Sequence, residues 1–158
     1  MKWTNSYRSF GLKTKRSTGL KTIEHKHWPP GIVGSLSHCP SLCVAAVASA
    51  ERIRAVGVDV DDSDGLSDGI MRFVFSSEEL ASLRMASSVE RRAAFCAKEA
   101  ASKALSALDG TGDLRKVSVS LKTDGTFAAV RRDVALRSQW RFYDRLVSAM
   151  VAVPSETV

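Results

Sequence analysis

Short apolar runs at the two ends of the chain flank a central stretch with helical spacing. Residues 42–48 (LCVAAVA) and 54–60 (RAVGVDV) are apolar and rich in β-branched side chains. They flank the polar break Ala50-Glu51-Arg52, which predicts two strands joined as a hairpin. Ahead of them, Trp28-Pro29-Pro30-Gly31 is a rigid turn, because each proline fixes φ and glycine relieves the next bend. Gly34-Ser35-Leu36-Ser37-His38-Cys39-Pro40 reads by composition as a loop, and Asp, Ser and Gly dominate a second loop over 63–69. A short helix follows over 70–75. A second begins at Ser76 or Ser77, a good N-cap, with Glu78 and Glu79 in its first turn. The longest helix is predicted over 88–108. Ser87 or Ser88 caps it, Val89, Ala93, Cys96, Ala100, Lys103 or Ala104, and Ala107 fall near one stripe, and Asp109-Gly110-Thr111-Gly112 stops it. Strands are predicted again over 116–121, 126–131, 139–143 and 146–153, with a turn at Thr123-Asp124-Gly125. Strands, then helices, then strands predict an α+β fold, with antiparallel sheet packed against the long helix.

At 158 residues the chain fits one domain or two small packed lobes, and its 44% apolar and 25% charged residues are those of a globular protein. The longest apolar run, 42–48, is too short to span a bilayer, and no apolar signal-peptide segment follows Met1. Cys39, Cys43 and Cys96 are odd in number and lack a zinc-type pairing, which predicts reduced thiols and a cytoplasmic protein. His38, Cys39 and Cys43 could be argued as metal ligands, but small half-buried thiols are the stronger reading. The net charge of +6 is misleading until it is located. Residues 1–27 hold seven basic side chains against Glu24, which is the whole excess, and the rest of the chain carries 16 of each sign. A basic arm on a neutral body could touch nucleic acid or an anionic membrane, or act as a mitochondrial-type presequence. A solvated, poorly ordered terminus over 1–27 beside a folded unit over 28–158 is the expectation here. No aromatic-basic interleaving appears further on, so nucleic acid is not the expected partner.

Two clusters carry candidate chemistry. Val56-Gly57-Val58-Asp59-Val60-Asp61 ends an apolar strand in two acids two residues apart, on one face of the strand. Carboxylates held side by side repel unless a cation sits between them, and Mg²⁺ with oxygen ligands is an economical answer. The plain alternative is a strand end fraying into an acidic turn, since Asp62 and Asp64 continue the acidity. The second cluster is Phe95-Cys96-Ala97-Lys98-Glu99-Ala100-Ala101-Ser102-Lys103, where Glu99 and Lys103 share a helix face at i and i+4. Alone this is an ordinary surface ion pair, although the flanking alanines and Phe95 predict a packed face. An acid and two lysines held there could complete a metal site and grip phosphates.

Trp-Pro-Pro-Gly with Gly-Ser-Leu-Ser-His-Cys, then Val-Gly-Val-Asp-Val-Asp, then Phe-Cys-Ala-Lys-Glu-Ala-Ala-Ser-Lys, in that order, resembles the 4′-phosphopantetheinyl transferase superfamily. The branch it resembles most is typified by enterobactin synthetase component D. The resemblance spans about Trp28 to Val153. It implies a magnesium-dependent transferase that moves 4′-phosphopantetheine from coenzyme A to a serine of an apo acyl, peptidyl or aryl carrier protein, in siderophore or other non-ribosomal peptide synthesis. It further implies Asp59, Asp61 and Glu99 as Mg²⁺ ligands, with Asp61 standing where many members have glutamate. By the same resemblance, Ser37 and His38 contact the 3′-phosphate end of coenzyme A, and Lys98 and Lys103 contact phosphates. The proton acceptor expected of such a transferase is Glu99, or Glu79 through a water. Members of this branch have two similar lobes, with an Arg/Lys-rich helical motif in the first. Residues 1–27 do not resemble that motif, so the first lobe looks truncated. A weak enzyme, a dimer or trimer that rebuilds the lost contacts, and an inactive carrier-binding remnant are the three outcomes this allows. A haloacid-dehalogenase-like phosphatase also places Asp-x-Asp after an apolar strand, but the threonine-type position and later acidic pair it would want are missing.

Overall fold

A computed structural model describes residues 28–110, 112–130 and 136–155; the basic segment 1–27 lies outside the described residues. The centre of the fold is strand β3 (Ile53–Asp61), buried at six successive positions from Ala55 to Val60. A strand with so continuous a burial pattern sits inside a fold rather than at its rim. It pairs antiparallel with β7 (Leu146–Pro154), which pairs on its other side with β6 (Arg137–Tyr143). Strand β7 alternates between buried and half-buried positions, and Val147, Ala149, Val151 and Val153 enter the main core. Helix α3 (Ser88–Asp109) packs on that core through Ala93, Ala97, Ala100, Ala101 and Ala104, all without solvent exposure. Small side chains let the helix axis approach the sheet closely. At Gly57 the approach is so tight that a Cβ atom would lie 1.9 Å from the Ala100 carbonyl oxygen.

Two expectations for the first strands are corrected. Residues 34–39, read as loop, belong to strand β1 (Ile32–Cys39), and β1 forms the hairpin with β2 (Leu42–Ser49). Residues 42–48 therefore do not pair with 54–60, whose antiparallel partner is β7. The serine-rich stretch hid a strand because its hydroxyls do work that β-branched side chains usually signal. Ser35 Oγ accepts from Val58 N at 3.1 Å and Ser37 Oγ accepts from Val60 N at 3.3 Å, so β1 runs alongside β3 in the same direction.

The first helix begins at Asp68, two residues before the expected 70 and inside the stretch read as loop, while the other two start at the expected serine caps. Ser67 caps α1 (Asp68–Val74), and capping boxes start both α2 (Ser77–Ser82, from Ser76 and Glu79) and α3 (from Ser87 and Glu90). Met71, Val74, Phe75 and Ala94 form a second, smaller core where α1 meets the start of α3. A 3-10 turn at Leu114–Lys116 precedes the hairpin of β4 (Ser118–Leu121) and β5 (Phe127–Val130), so the strand expected from 116 starts two residues later. Phe127 of this hairpin is buried in the main core, to which α3 and β7 also contribute. The architecture is the expected α+β arrangement of antiparallel sheet against one long helix. Among the described residues, no helix is long and apolar enough to cross a membrane.

Candidate active site

Strand β3 and helix α3 meet at the end of β3, and β1 closes a third side. Between them lies a cleft of about 830 Å³. Its β1 wall is Trp28 with residues 34–38, its floor is Asp59, Val60 and Asp61, and α3 contributes Phe95, Glu99, Ser102, Lys103, Ser106 and Ala107. Gly34 is needed in that wall: a Cβ there would sit 2.3 Å from the indole of Trp28, which covers the strand.

The backbone periodicities explain which side chains converge. Asp59 and Asp61 are two residues apart on a strand and share a face. Arg92, Cys96, Glu99 and Lys103 are spaced by four, three and four on α3 and share a stripe. That stripe lies against the two aspartates. Lys103 Nζ donates to Asp59 Oδ1 at 2.7 Å and to the Val58 carbonyl oxygen at 3.1 Å. Ser37 Oγ also donates to Asp59 Oδ1, at 2.7 Å. Arg92 Nε donates to Asp61 Oδ2 at 2.7 Å, and its Nη2 donates to the carbonyl oxygens of Asp61 (2.6 Å) and Arg145 (2.7 Å). Ser63 adds its backbone N–H and its hydroxyl to the Asp61 carboxylate, each at 3.0 Å. Glu99 is half-buried and makes no side-chain hydrogen bond among the described residues. Burial first and the Asp59 carboxylate second push its pKa up, against the opposing pull of Lys103. Cys96 lies fully buried beneath these acids, and desolvation with the two aspartates pushes its thiol far above the ordinary range. The cysteines described here are all free thiols.

Six of the expected site residues thus line one cleft: Ser37, His38, Asp59, Asp61, Glu99 and Lys103. His38 is solvent-exposed at its rim, whereas Ser37 is buried and committed to Asp59. Lys98 and Glu79 are not brought there. Lys98 is one residue before Glu99 and so points about 100° away around the helix, by the 3.6-residue turn. Its side chain is wholly buried, with Nζ 2.5 Å from Glu79 Oε2 and 5.1 Å from the centre of the Phe75 ring. Glu79 spends both carboxylate oxygens on structure: Oε2 accepts from Ser76 N at 2.9 Å, and Oε1 from Val119 N at 2.9 Å. This buried pair joins α2, α3 and β4. Arg92 is not among the residues expected from the sequence, although its position seven residues before Glu99 puts it on the same helical stripe.

Charge decides what the cleft can hold. Three carboxylates and one lysine line it among the described residues, and with Asp59 paired to Lys103 and Asp61 to Arg92 the Glu99 carboxylate is left uncompensated, so the space is weakly acidic. No three Asp, Glu, His or Cys side chains among the described residues stand together as a ready ligand group, and Asp59 and Asp61 are each tied to a cationic side chain. The donors are nonetheless hard oxygens, and the strain between Glu99 and Asp59 is what a bound divalent cation would relieve.

The sequence model of the 4′-phosphopantetheinyl transferase superfamily matches residues 55–153. A 4′-phosphopantetheinyl transferase of Nocardia iowensis is 40% identical over 79 residues, which are 49% of this chain and 36% of the relative. One from Streptomyces mobaraensis is 32% identical over 143 residues, covering 80% of this chain and 58% of the relative. Enterobactin synthase component D of Salmonella typhimurium is 28% identical over 169 residues, covering 96% and 70%. The chain thus spans about a third of the first relative's length and over half of the second's. The matched segment contains both aspartates of β3 and the whole of α3, the elements that form the floor and one wall of the cleft, and on that match the chain belongs to the 4′-phosphopantetheinyl transferase superfamily.

Proposed function

We propose that this protein transfers 4′-phosphopantetheine from coenzyme A to a serine hydroxyl of an apo carrier protein, with Mg²⁺. The carrying observation is the convergence of Asp59, Asp61, Glu99 and Lys103 in one cleft that His38 borders. An acidic cleft in a family of enzymes that handle a pyrophosphate needs added positive charge, and the carboxylates of Asp59 and Glu99, with Asp61 beside them, fit a hard divalent cation. Bound there, Mg²⁺ supplies the charge neutralisation that a pyrophosphate needs as its leaving group departs. Lys103, the lysine that lines the cleft, is the residue that would contact the phosphates. Glu99, half-buried and without a hydrogen-bond partner among the described residues, takes the proton from the carrier serine. Glu79, buried and paired with Lys98, is not the base proposed here. His38 at the rim, with its exposed imidazole, contacts the nucleotide end.

Similarity to an enterobactin synthase component makes siderophore assembly the proposed setting, in the cytoplasm, where free thiols persist. The test is mass spectrometry of an apo carrier domain incubated with the protein, coenzyme A and Mg²⁺, with and without EDTA. A gain of one phosphopantetheine that EDTA abolishes is the expected result. No gain with several carriers at high enzyme concentration would refute the activity and favour a carrier-binding remnant.

A further inference from the structure

The lysine of the cleft occupies the carboxylate that the cation reading needs. Lys103 Nζ and the Ser37 hydroxyl both donate to Asp59 Oδ1, so that oxygen already has a full complement of partners. An ammonium at 2.7 Å and a divalent cation cannot share one carboxylate oxygen without strong like-charge repulsion. At that oxygen one of the two must give way. The two cationic side chains of the α3 stripe differ sharply in their freedom to do so. Arg92 has a side chain only 6% exposed and divides its guanidinium among the Asp61 carboxylate and two main-chain carbonyls. It is built in. Lys103 has a side chain 32% exposed, facing the cleft, and a flexible four-carbon stem held by one carboxylate oxygen and, at 3.1 Å, the Val58 carbonyl oxygen.

We infer that Lys103 is an exchangeable counterion: it neutralises Asp59 while the cleft is empty, a divalent cation displaces it, and the released ammonium turns to the pyrophosphate. This deepens the function proposed above and rests on its cation site. Two consequences follow from the geometry. In the absence of coenzyme A, Lys103 and the cation are antagonists at Asp59. In its presence they cooperate, because the cation frees Lys103 for the phosphates, and by reciprocity coenzyme A then strengthens cation binding. Arg92 keeps Asp61 and the end of β3 in place throughout, so the exchange needs no movement of the backbone.

The test uses Mn²⁺ alone as probe, titrated into the full chain without coenzyme A and followed through the free-ion electron paramagnetic resonance signal. Lys103→Met should bind Mn²⁺ about tenfold more tightly than the unmodified protein, the usual scale for losing one charge-assisted hydrogen bond. Lys103→Arg, which keeps the charge, should bind no more tightly. Coenzyme A affinity measured by calorimetry with Mn²⁺ present should move the opposite way and weaken in Lys103→Met. A purely structural lysine would not give these opposed shifts. In the unmodified protein, which needs no variant to fold, Mn²⁺ should raise the rate of trace acetylation at Lys103 several-fold as read by mass spectrometry. Equal Mn²⁺ affinity with and without the lysine, or an unchanged acetylation rate in a protein that does bind Mn²⁺, overturns the exchange and leaves the cation site standing. Absence of Mn²⁺ binding in every form, including one compared with Asp59→Asn, overturns the cation site and the exchange with it.

Discussion

Replacing Gly57 with alanine sets two physical effects against each other, and the structure says which wins. Gly57 lies in the middle of β3, where alanine loses less chain entropy on folding, so intrinsic preference alone would make Gly57→Ala neutral to stabilising by about 0.5–1 kcal/mol. The added methyl, however, would stand 1.9 Å from the Ala100 carbonyl oxygen and 2.9 Å from Ala104 N, both on the helix backbone. Backbone cannot swing aside as a side chain can. Restoring an ordinary contact of about 3.4 Å requires β3 and α3 to separate by about 1.5 Å, enough to lose a large part of the dispersion attraction along the alanine face. Overpacking of this kind costs typically 1–3 kcal/mol, and the rigidity of both partners argues for the upper end, about 3 kcal/mol. For a chain of this length that lowers Tm by roughly 6–12 °C. The same displacement would stretch the 2.7 Å contact between Lys103 and Asp59 beyond hydrogen-bonding range and move Glu99 away from the β3 carboxylates. Urea denaturation by circular dichroism measures the loss, and Mn²⁺ titration of the folded fraction reads the cleft. A variant as stable as the parent would refute the close approach of α3 to β3 and the geometry built on it.

The buried Lys98–Glu79 pair should behave as structure: Lys98→Met leaves a carboxylate buried with only its backbone donors and should cost about 3 kcal/mol in urea denaturation. Coenzyme A affinity of the folded Lys98→Met protein should change by less than about twofold in calorimetry, on the scale of sites that share no partners. The α3 capping box should show in the pH dependence of stability. Backbone N–H and hydroxyl of Ser87 hold the Glu90 pKa below its ordinary value, so its stabilisation is present above the unfolded-state pKa of about 4.5 and is lost as pH falls through the lower folded value. Ser87→Ala should therefore cost about 1 kcal/mol at neutral pH, with the gap narrowing in thermal melts below pH 4.5. Thiol labelling should follow burial: Cys43 reacts first, Cys39 more slowly, and Cys96 only after denaturation, with peptide mass spectrometry reporting the order. Labelling of native Cys96 at the rate of Cys43 would contradict the packing of α3.

Helix signals were legible because they are local. Ser76 with Glu79 and Ser87 with Glu90 are capping boxes that need only their own turn, and both start helices where the sequence places them. The strands of the second half were legible too, because apolar alternation over 146–153 reports one buried face. Strand pairing was not. Residues 42–48 and 54–60 look like hairpin partners by proximity in sequence, yet 54–60 pairs with a strand some ninety residues later. Nothing local in the Ser-Leu-Ser stretch reveals that its hydroxyls accept hydrogen bonds from β3.

The sequence by itself determined the chemical kit: two aspartates on one strand face, a glutamate and a lysine four apart on one helix face, and a Ser-His pair ahead of them. Those follow from fixed periods of 2 and 3.6, which hold wherever the chain folds. Tertiary structure decided which of the kit meets. It put Glu99 and Lys103 against Asp59 and turned their neighbour Lys98 into the core to pair with Glu79. It also recruited Arg92 to hold Asp61. The period of a helix says which residues share a face, but only packing says which face looks into the cleft, because that depends on how closely α3 can seat on β3. Here Gly57 and five alanines set that distance.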